Sequence, residues 1–112
     1  MKTYNKLVRD NIPAVIEASG KIAHYRKLDD DREYHEALTD KLIEEANEVK
    51  KVNSKARLRE EIGDVMSVIY ALLRLHDIDE DDVIDSANKK AEDKGWFLNR
   101  YFLESVEEKK SK

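Results

Sequence analysis

Two groups of acidic residues are the part of this 112-residue sequence whose types and spacing best suit chemistry. Glu44, Glu45 and Glu48 form the pattern EExxE, and twelve residues later Glu61 and Asp64 form ExxD. Residues three or four positions apart share one face of a helix. Carboxylates that converge from two helices offer only oxygen ligands, which favour a hard cation, Mg²⁺ first and Mn²⁺ or Ca²⁺ after it.

Three long helices are predicted to position these acids. Apolar spacing with helix start and stop signals places them at about 31–52, 55–76 and 79–94. Asn53 and Ser54 form the turn between the first two helices. Counting outward from that turn puts Glu45 level with Asp64 and Glu48 level with Glu61, so all four carboxylates are expected at one height between antiparallel helices.

The acids are expected to lean toward the core. Glu45 interrupts the apolar stripe of the first long helix, and Glu61 is flanked by Leu58, Ile62 and Val65 on the second, which is the most apolar segment and the expected centre of the core. Two charges ~6 Å apart at an effective dielectric of ~20 repel by roughly 3 kcal/mol, so the cluster needs a positive partner. The alternative is a solvated acidic surface, paired with lysines such as Lys41 and Lys51.

The remainder of the chain indicates a single all-α domain over residues 1–112. With only 3 Gly and 1 Pro, the sequence suits long helices with short loops. Residues 1–28 are predicted to form an N-terminal arm with a short helix that begins after Asp10 or Asn11, and residues 104–112 a mobile tail. A chain of this size buries ~65% of its unfolded surface, so a homo-oligomer, dimer or tetramer, is expected to complete the core.

Composition excludes several classes of function. No Cys is present, which excludes a thiol nucleophile and fits a cytoplasmic location. The net charge of -4 disfavours binding to DNA or RNA polymers. The longest apolar run, Val65 to Leu75, is shorter than the ~20 residues of a membrane span.

The acidic motifs also carry a family resemblance. EEANE followed by EIGD resembles the signature of the all-α nucleoside triphosphate pyrophosphatases, the MazG-like superfamily. Three blocks resemble its phosphoribosyl-ATP pyrophosphohydrolase-like branch: KLVRDNIPAVIEASGK, EEIGDVMSVIYALL and ANKKAEDKGWF.

The resemblance implies a helical-bundle enzyme that uses Mg²⁺. It would cleave the bond between the α and β phosphates of a nucleoside triphosphate or phosphoribosyl nucleotide, releasing a monophosphate and pyrophosphate, in biosynthesis or in house-cleaning of non-standard nucleotides. By the same resemblance, Glu45, Glu48, Glu61 and Asp64 would be the metal ligands, and Glu44 would support them or orient the attacking water.

Basic residues are expected to bind the phosphates. By resemblance, Lys90 and Lys94 would meet phosphate oxygens, and Asn88 is a further candidate. Arg9 is expected to position the N-terminal arm by a salt bridge, and by the resemblance it could also border the nucleotide pocket. The chain departs from the family pattern at Lys94, where Arg is common, and Lys lacks the bidentate grip of a guanidinium. The alternative function is a non-catalytic helical module that binds a nucleotide or a protein and uses the acids as a structural cation site.

Overall fold

The computed structural model describes residues 1–110, and within them the fold is all-α, as predicted from the sequence. It contains four helices and no strand: α1 Ile12–Ala18, α2 Asp31–Lys51, α3 Lys55–Leu75 and α4 Glu80–Lys94. The chain divides into two compact units, Met1–Ile78 and the remainder from Asp79 onward. That it forms one domain stays a prediction. The predicted tail has no helix or strand over residues 104–110, and residues 111 and 112 lie outside the described part.

Polar caps explain where the long helices begin. The side chains of Asp30, Ser54 and Asp79 accept hydrogen bonds from backbone N–H groups in the first turns of α2, α3 and α4. Gly95, with φ of 81°, follows the last residue of α4, a conformation that favours glycine. The predicted helix ends differ from the observed ones by about one residue, because the capping residues themselves lie just outside the helices.

The helices α2 and α3 pack against each other as an antiparallel hairpin. Its most buried apolar side chains are Leu38 on α2, which is 2% exposed, and Val68 on α3, which is 8% exposed. At the end away from the turn, the Nδ1 atom of His35 and the Nε2 atom of His76 lie 2.7 Å apart, within hydrogen-bonding distance. The first compact unit therefore has a small apolar core that ends in a histidine pair.

Part of the apolar surface of α3, the expected centre of the core, is exposed in the chain, whereas Val68 on the same helix is buried. Leu58, Ile62, Met66 and Ile69 are 38%, 45%, 45% and 37% exposed. Periodicity identifies an apolar face of a helix, but it does not identify what covers that face. We refer to these four side chains as the outer stripe of α3.

Residues before α1 have no helix or strand and form the beginning of the N-terminal arm. The arm turns into α1 at Asn11, with Pro13 in the first turn as predicted. Among residues 1–110, none of the helices combines the length and the apolar character that a membrane span requires.

Candidate active site

Three carboxylates from two helices converge in the first compact unit. Glu45 of α2 and Glu61 and Asp64 of α3 each offer one oxygen, and these oxygens all lie within 4.8 Å of one another. Ligands about 2.1 Å from an octahedral Mg²⁺ ion are separated by ~3.0 Å when adjacent and ~4.2 Å when opposite. The spacing of this acidic cluster is close to that range, and its donor type suits a hard divalent cation.

Glu48, the fourth predicted ligand, lies outside this group. Its side chain is 44% exposed, and its carboxylate pairs with Lys51 at 3.6 Å. Its charge still reaches the cluster, where it contributes to raising the pKa of Glu61. A role for Glu48 as a metal ligand stays a prediction.

Glu61 is the buried member of the cluster. The residue is 8% exposed. Burial raises the pKa of Glu61 above its ordinary value, the negative charges of Asp64 and Glu45 raise it further, and the positive charge of Arg57 partly offsets them. Glu61 is therefore protonated more easily than an isolated glutamate.

Basic side chains of the chain itself contact the acids. In three of these ion pairs the two partners lie on the same helix, and the fourth pair connects the N-terminal arm to α3. The pairs are Lys41 with Glu45 at 3.6 Å, Lys51 with Glu48 at 3.6 Å, Arg57 with Glu61 at 3.4 Å, and Arg9 with Asp64 at 2.8 Å. Basic side chains of the protein thus supply part of the positive charge that the clustered carboxylates need.

Glu44 faces the arm. Its carboxylate accepts hydrogen bonds from the Nζ atoms of Lys6 at 3.2 Å and Lys41 at 3.4 Å. Burial acts to raise the pKa of Glu44, but the hydrogen bond from Lys6 and the charges of both lysines outweigh it, so the pKa is lowered. Glu44 therefore stays ionised at neutral pH.

A small cleft lies beside Glu44, between the arm and α2. Its volume is about 100 Å³, and its walls include Lys6, Asp40 and Lys41. Pockets for small-molecule ligands usually measure ~300–1,000 Å³. This cleft alone is too small to hold a nucleotide.

Arg9 lies at the acidic cluster. Its Nη2 atom donates to the Oδ1 atom of Asp64 at 2.8 Å and to the Oγ atom of Ser67 at 3.3 Å. The salt bridge predicted to position the arm is present, between Arg9 and Asp64, whereas the contacts of Ser67 and Lys6 were not predicted. No local pattern indicates these contacts, because Arg9 and Asp64 are 55 positions apart in sequence.

The other predicted phosphate ligands, Asn88, Lys90 and Lys94, lie on α4 in the second compact unit. Lys90 and Lys94 are one helical turn apart, as predicted, and Lys94 pairs with Asp93 at 3.6 Å. Their contact with phosphate stays a prediction.

The fold and the site together describe an all-α protein with a cluster of carboxylates suited to a divalent cation. Residues 33–95, more than half of the chain, match the family described as MazG nucleotide pyrophosphohydrolase domain. This chain therefore belongs to the MazG nucleotide pyrophosphohydrolase family, and the matched residues include Glu45, Glu61 and Asp64. No curated protein and no solved structure was found to match it. The MazG-like resemblance is confirmed, whereas the phosphoribosyl-ATP pyrophosphohydrolase-like branch stays a prediction.

Proposed function

We propose that this protein is a metal-dependent nucleotide pyrophosphohydrolase. It would cleave the bond between the α and β phosphates and release a monophosphate and pyrophosphate. The observation that carries the proposal is the convergence of Glu45, Glu61 and Asp64, whose oxygens lie within 4.8 Å, inside the region that matches the family. These are oxygen ligands on two helices, the arrangement suited to Mg²⁺, with Mn²⁺ as a substitute.

Four acidic residues of the chain would hold the cation. Glu45, Glu61 and Asp64 would hold the cation, and Glu48 would join them if its exposed carboxylate leaves Lys51. A divalent cation in such a site neutralises phosphate charge and polarises the phosphorus that is attacked.

Glu44 is suited to orient water rather than to bind the cation. Its carboxylate is held by Lys6 and Lys41, and its lowered pKa keeps it ionised, so it can accept a hydrogen bond from the attacking water. The oxygen of that water forms a bond to the α phosphorus, while the bond from this phosphorus to the bridging oxygen breaks. Pyrophosphate leaves with the bonding electron pair, and the proton of the water passes to solvent.

Charge on the leaving pyrophosphate would be shared by basic side chains. We assign this role to Lys90 and Lys94 on α4, with Asn88 as a further hydrogen-bond donor and Arg9 from the arm. Positively charged donors stabilise a phosphoryl-transfer transition state because negative charge accumulates on its oxygens. Arg9 can form two parallel hydrogen bonds to a phosphate, whereas each lysine acts as a point charge.

Direct assay of the products tests this function. With Mg²⁺, we expect pyrophosphate from at least one member of a panel of canonical, deoxy, oxidised and phosphoribosyl nucleotides, and none in the presence of EDTA. In water labelled with oxygen-18, the label should appear in the monophosphate, because the α phosphorus is attacked. Label in pyrophosphate would move the attack to the β phosphorus, and release of inorganic phosphate alone would contradict the proposed function. The preferred substrate in the panel separates house-cleaning of non-standard nucleotides from a biosynthetic role.

The alternative is a non-catalytic module that binds a nucleotide or a protein. It is favoured by one observation, the pairing of each acid in the region with a basic side chain, which balances charge without a cation. If every substrate in the panel stays intact while Mg²⁺ raises the melting temperature, the module is the better description.

We also propose that the protein is a homo-oligomer, a dimer or a tetramer, in which the outer stripe of α3 is buried. Four apolar side chains in a row on one helix, each more than a third exposed, form a face that a second copy could cover.

Sedimentation analysis is expected to give at least twice the mass of one chain. Met66→Lys should shift the protein toward the monomer, whereas Ile43→Lys on α2, where Ile43 is already 62% exposed, should not. A monomeric wild-type protein would contradict this proposal.

A further inference from the structure

The contact between Arg9 and the acidic cluster differs from the ion pairs that lie within a helix, and in this it resembles the contact of Lys6 with Glu44. Lys41, Lys51 and Arg57 each lie on the same helix as the acid they contact, within four residues of it. Arg9 comes from the N-terminal arm, which has no helix or strand before α1. Arg9 therefore reaches Asp64 from outside the helices that carry the acids.

Ser67 holds Arg9 in place on α3. The Oγ atom of Ser67 accepts a hydrogen bond from Arg9 at 3.3 Å and donates one to the carbonyl oxygen of Gly63 at 3.0 Å. Arg9 also donates to one oxygen of Asp64, at 2.8 Å. The guanidinium thus occupies a defined place at one of the three converging carboxylates.

We infer that Arg9 is an internal counter-cation, which weakens the binding of a bare divalent cation to the acidic cluster and moves to phosphate oxygens when a metal–nucleotide complex enters. The inference rests on the proposed function for its second half. Its first half concerns the metal alone and does not require catalysis.

Charge balance is the physical reason. Lys41, Arg57 and Arg9 bring three positive charges to Glu45, Glu61 and Asp64, so a bare divalent cation enters a site that is already close to neutral. An incoming triphosphate brings several negative charges with its metal, and these attract a guanidinium more strongly than one carboxylate does. The same residue thereby opposes the metal alone and favours the metal bound to its nucleotide.

The exposure of the ion pair sets the size of the effect. The side chains of Arg9 and Asp64 are 60% and 38% exposed. Such pairs contribute weakly to stability, which makes a release of Arg9 from Asp64 easy. Removing the charge of Arg9 should therefore tighten the binding of a bare cation by only about two- to fivefold.

Binding of Mn²⁺ without nucleotide is the first test, measured by electron paramagnetic resonance or calorimetry. We expect Arg9→Met to bind Mn²⁺ about two- to fivefold more tightly than the wild-type protein. Ser67→Ala, which keeps the charge but removes the support for Arg9, should shift the affinity in the same direction by less. Arg26→Met is the matched control, because Arg26 is 70% exposed and pairs with Glu33.

Binding of a non-hydrolysable α,β-methylene triphosphate with saturating Mn²⁺ is the second test. Here Arg9→Met should weaken binding by about tenfold, the opposite sign, because a charged hydrogen bond to phosphate is lost. Arg26→Met should leave this affinity unchanged.

Opposite signs separate the inference from a purely structural role. Weaker Mn²⁺ binding in Arg9→Met would show that Arg9 orients Asp64 as a ligand. Unchanged Mn²⁺ binding would show that Arg9 has no effect on the acidic cluster. Either result overturns the inference. If wild-type protein hydrolyses nucleotides while Arg9→Met binds both ligands as wild type does, the inference fails and the proposed function stands. If the wild-type protein neither binds nor hydrolyses any nucleotide, the proposed function fails, and the Mn²⁺ measurements still decide the counter-cation role.

Discussion

Changing Glu61 to Gln is expected to reduce pyrophosphate release by at least about a hundredfold, because it removes one of three converging carboxylates. Gln keeps the shape of the side chain but lacks the negative charge that a divalent cation requires. The stabilisation of the folded protein by Mg²⁺ or Mn²⁺ should be lost with the activity, since both depend on the same ligand. Rates of product formation and melting temperatures with and without metal measure the two effects.

The same substitution should not destabilise the metal-free protein at a pH where wild-type Glu61 is ionised, and the sign follows from the pKa of Glu61. Burial and neighbouring acids raise that pKa above 4.5, its ordinary value. Between the ordinary and the raised pKa, the folded state binds more protons than the unfolded state, so stability falls as the pH rises through this window. At a pH above this window Glu61 is ionised and that part of the stability has been lost, whereas neutral Gln does not titrate.

Glu60→Gln is the matched control for this experiment. Glu60 precedes Glu61 on α3, but its side chain is 69% exposed and pairs with Arg57 at 3.8 Å, outside the converging group. Its substitution should change activity and metal-induced stabilisation little. Equal loss of activity in both variants, or full activity in Glu61→Gln, would remove Glu61 from the proposed metal centre.

The positions of the helices could be predicted because local signals define them. Asp30, Ser54 and Asp79 are side chains that cap helices, and Gly95 adopts a backbone conformation that suits the end of one. The alignment of Glu45 with Asp64 could also be predicted, because a short turn fixes the register of an antiparallel helical hairpin. Local sequence signals therefore predict the helices that carry the candidate site and the register between them.

The contacts that complete the site could not be predicted, because they join distant parts of the chain. Arg9 reaches Asp64 from an arm without regular structure. Outside the site, His35 meets His76 at the end of the hairpin away from the turn, across 41 positions of sequence. Neither pairing leaves a periodic signal. The exposure of Glu48 is a related case, since three-residue spacing places it on the face of Glu45 but does not determine the direction of its carboxylate.

The outer stripe of α3 shows a different limit of sequence reasoning. Ile62 and Ile69 have the spacing of core residues, but the residues of α3 with least exposure are Glu61 and Val68. The acids therefore lie toward α2, and the apolar stripe points elsewhere. A partly exposed apolar stripe is a face that a further helix could cover, and this gives the proposed oligomer its physical basis.

Leu38→Ala is expected to lower the free energy of unfolding by about 2–5 kcal/mol, the usual cost of truncating a fully buried leucine. Leu38 is 2% exposed and has the lowest exposure of the described core residues. Small domains have a total stability of ~5–15 kcal/mol, so this loss would remove a large part of it. Urea unfolding at two protein concentrations gives the free energy and shows whether association contributes, because unfolding of an oligomer depends on concentration.

Ile43→Ala is the matched control for Leu38→Ala, because it measures the cost of the same truncation at an exposed position of α2. Ile43 lies on the same helix and loses a side chain of equal size, but it is 62% exposed, so its truncation should cost less than about 1 kcal/mol. Equal costs at the two positions would show that the contact between α2 and α3 is not the main source of stability. A large cost at Leu38 alone would tie stability to the hairpin that brings Glu45 to Glu61 and Asp64, so that the apolar core and the acidic cluster depend on one helix–helix contact.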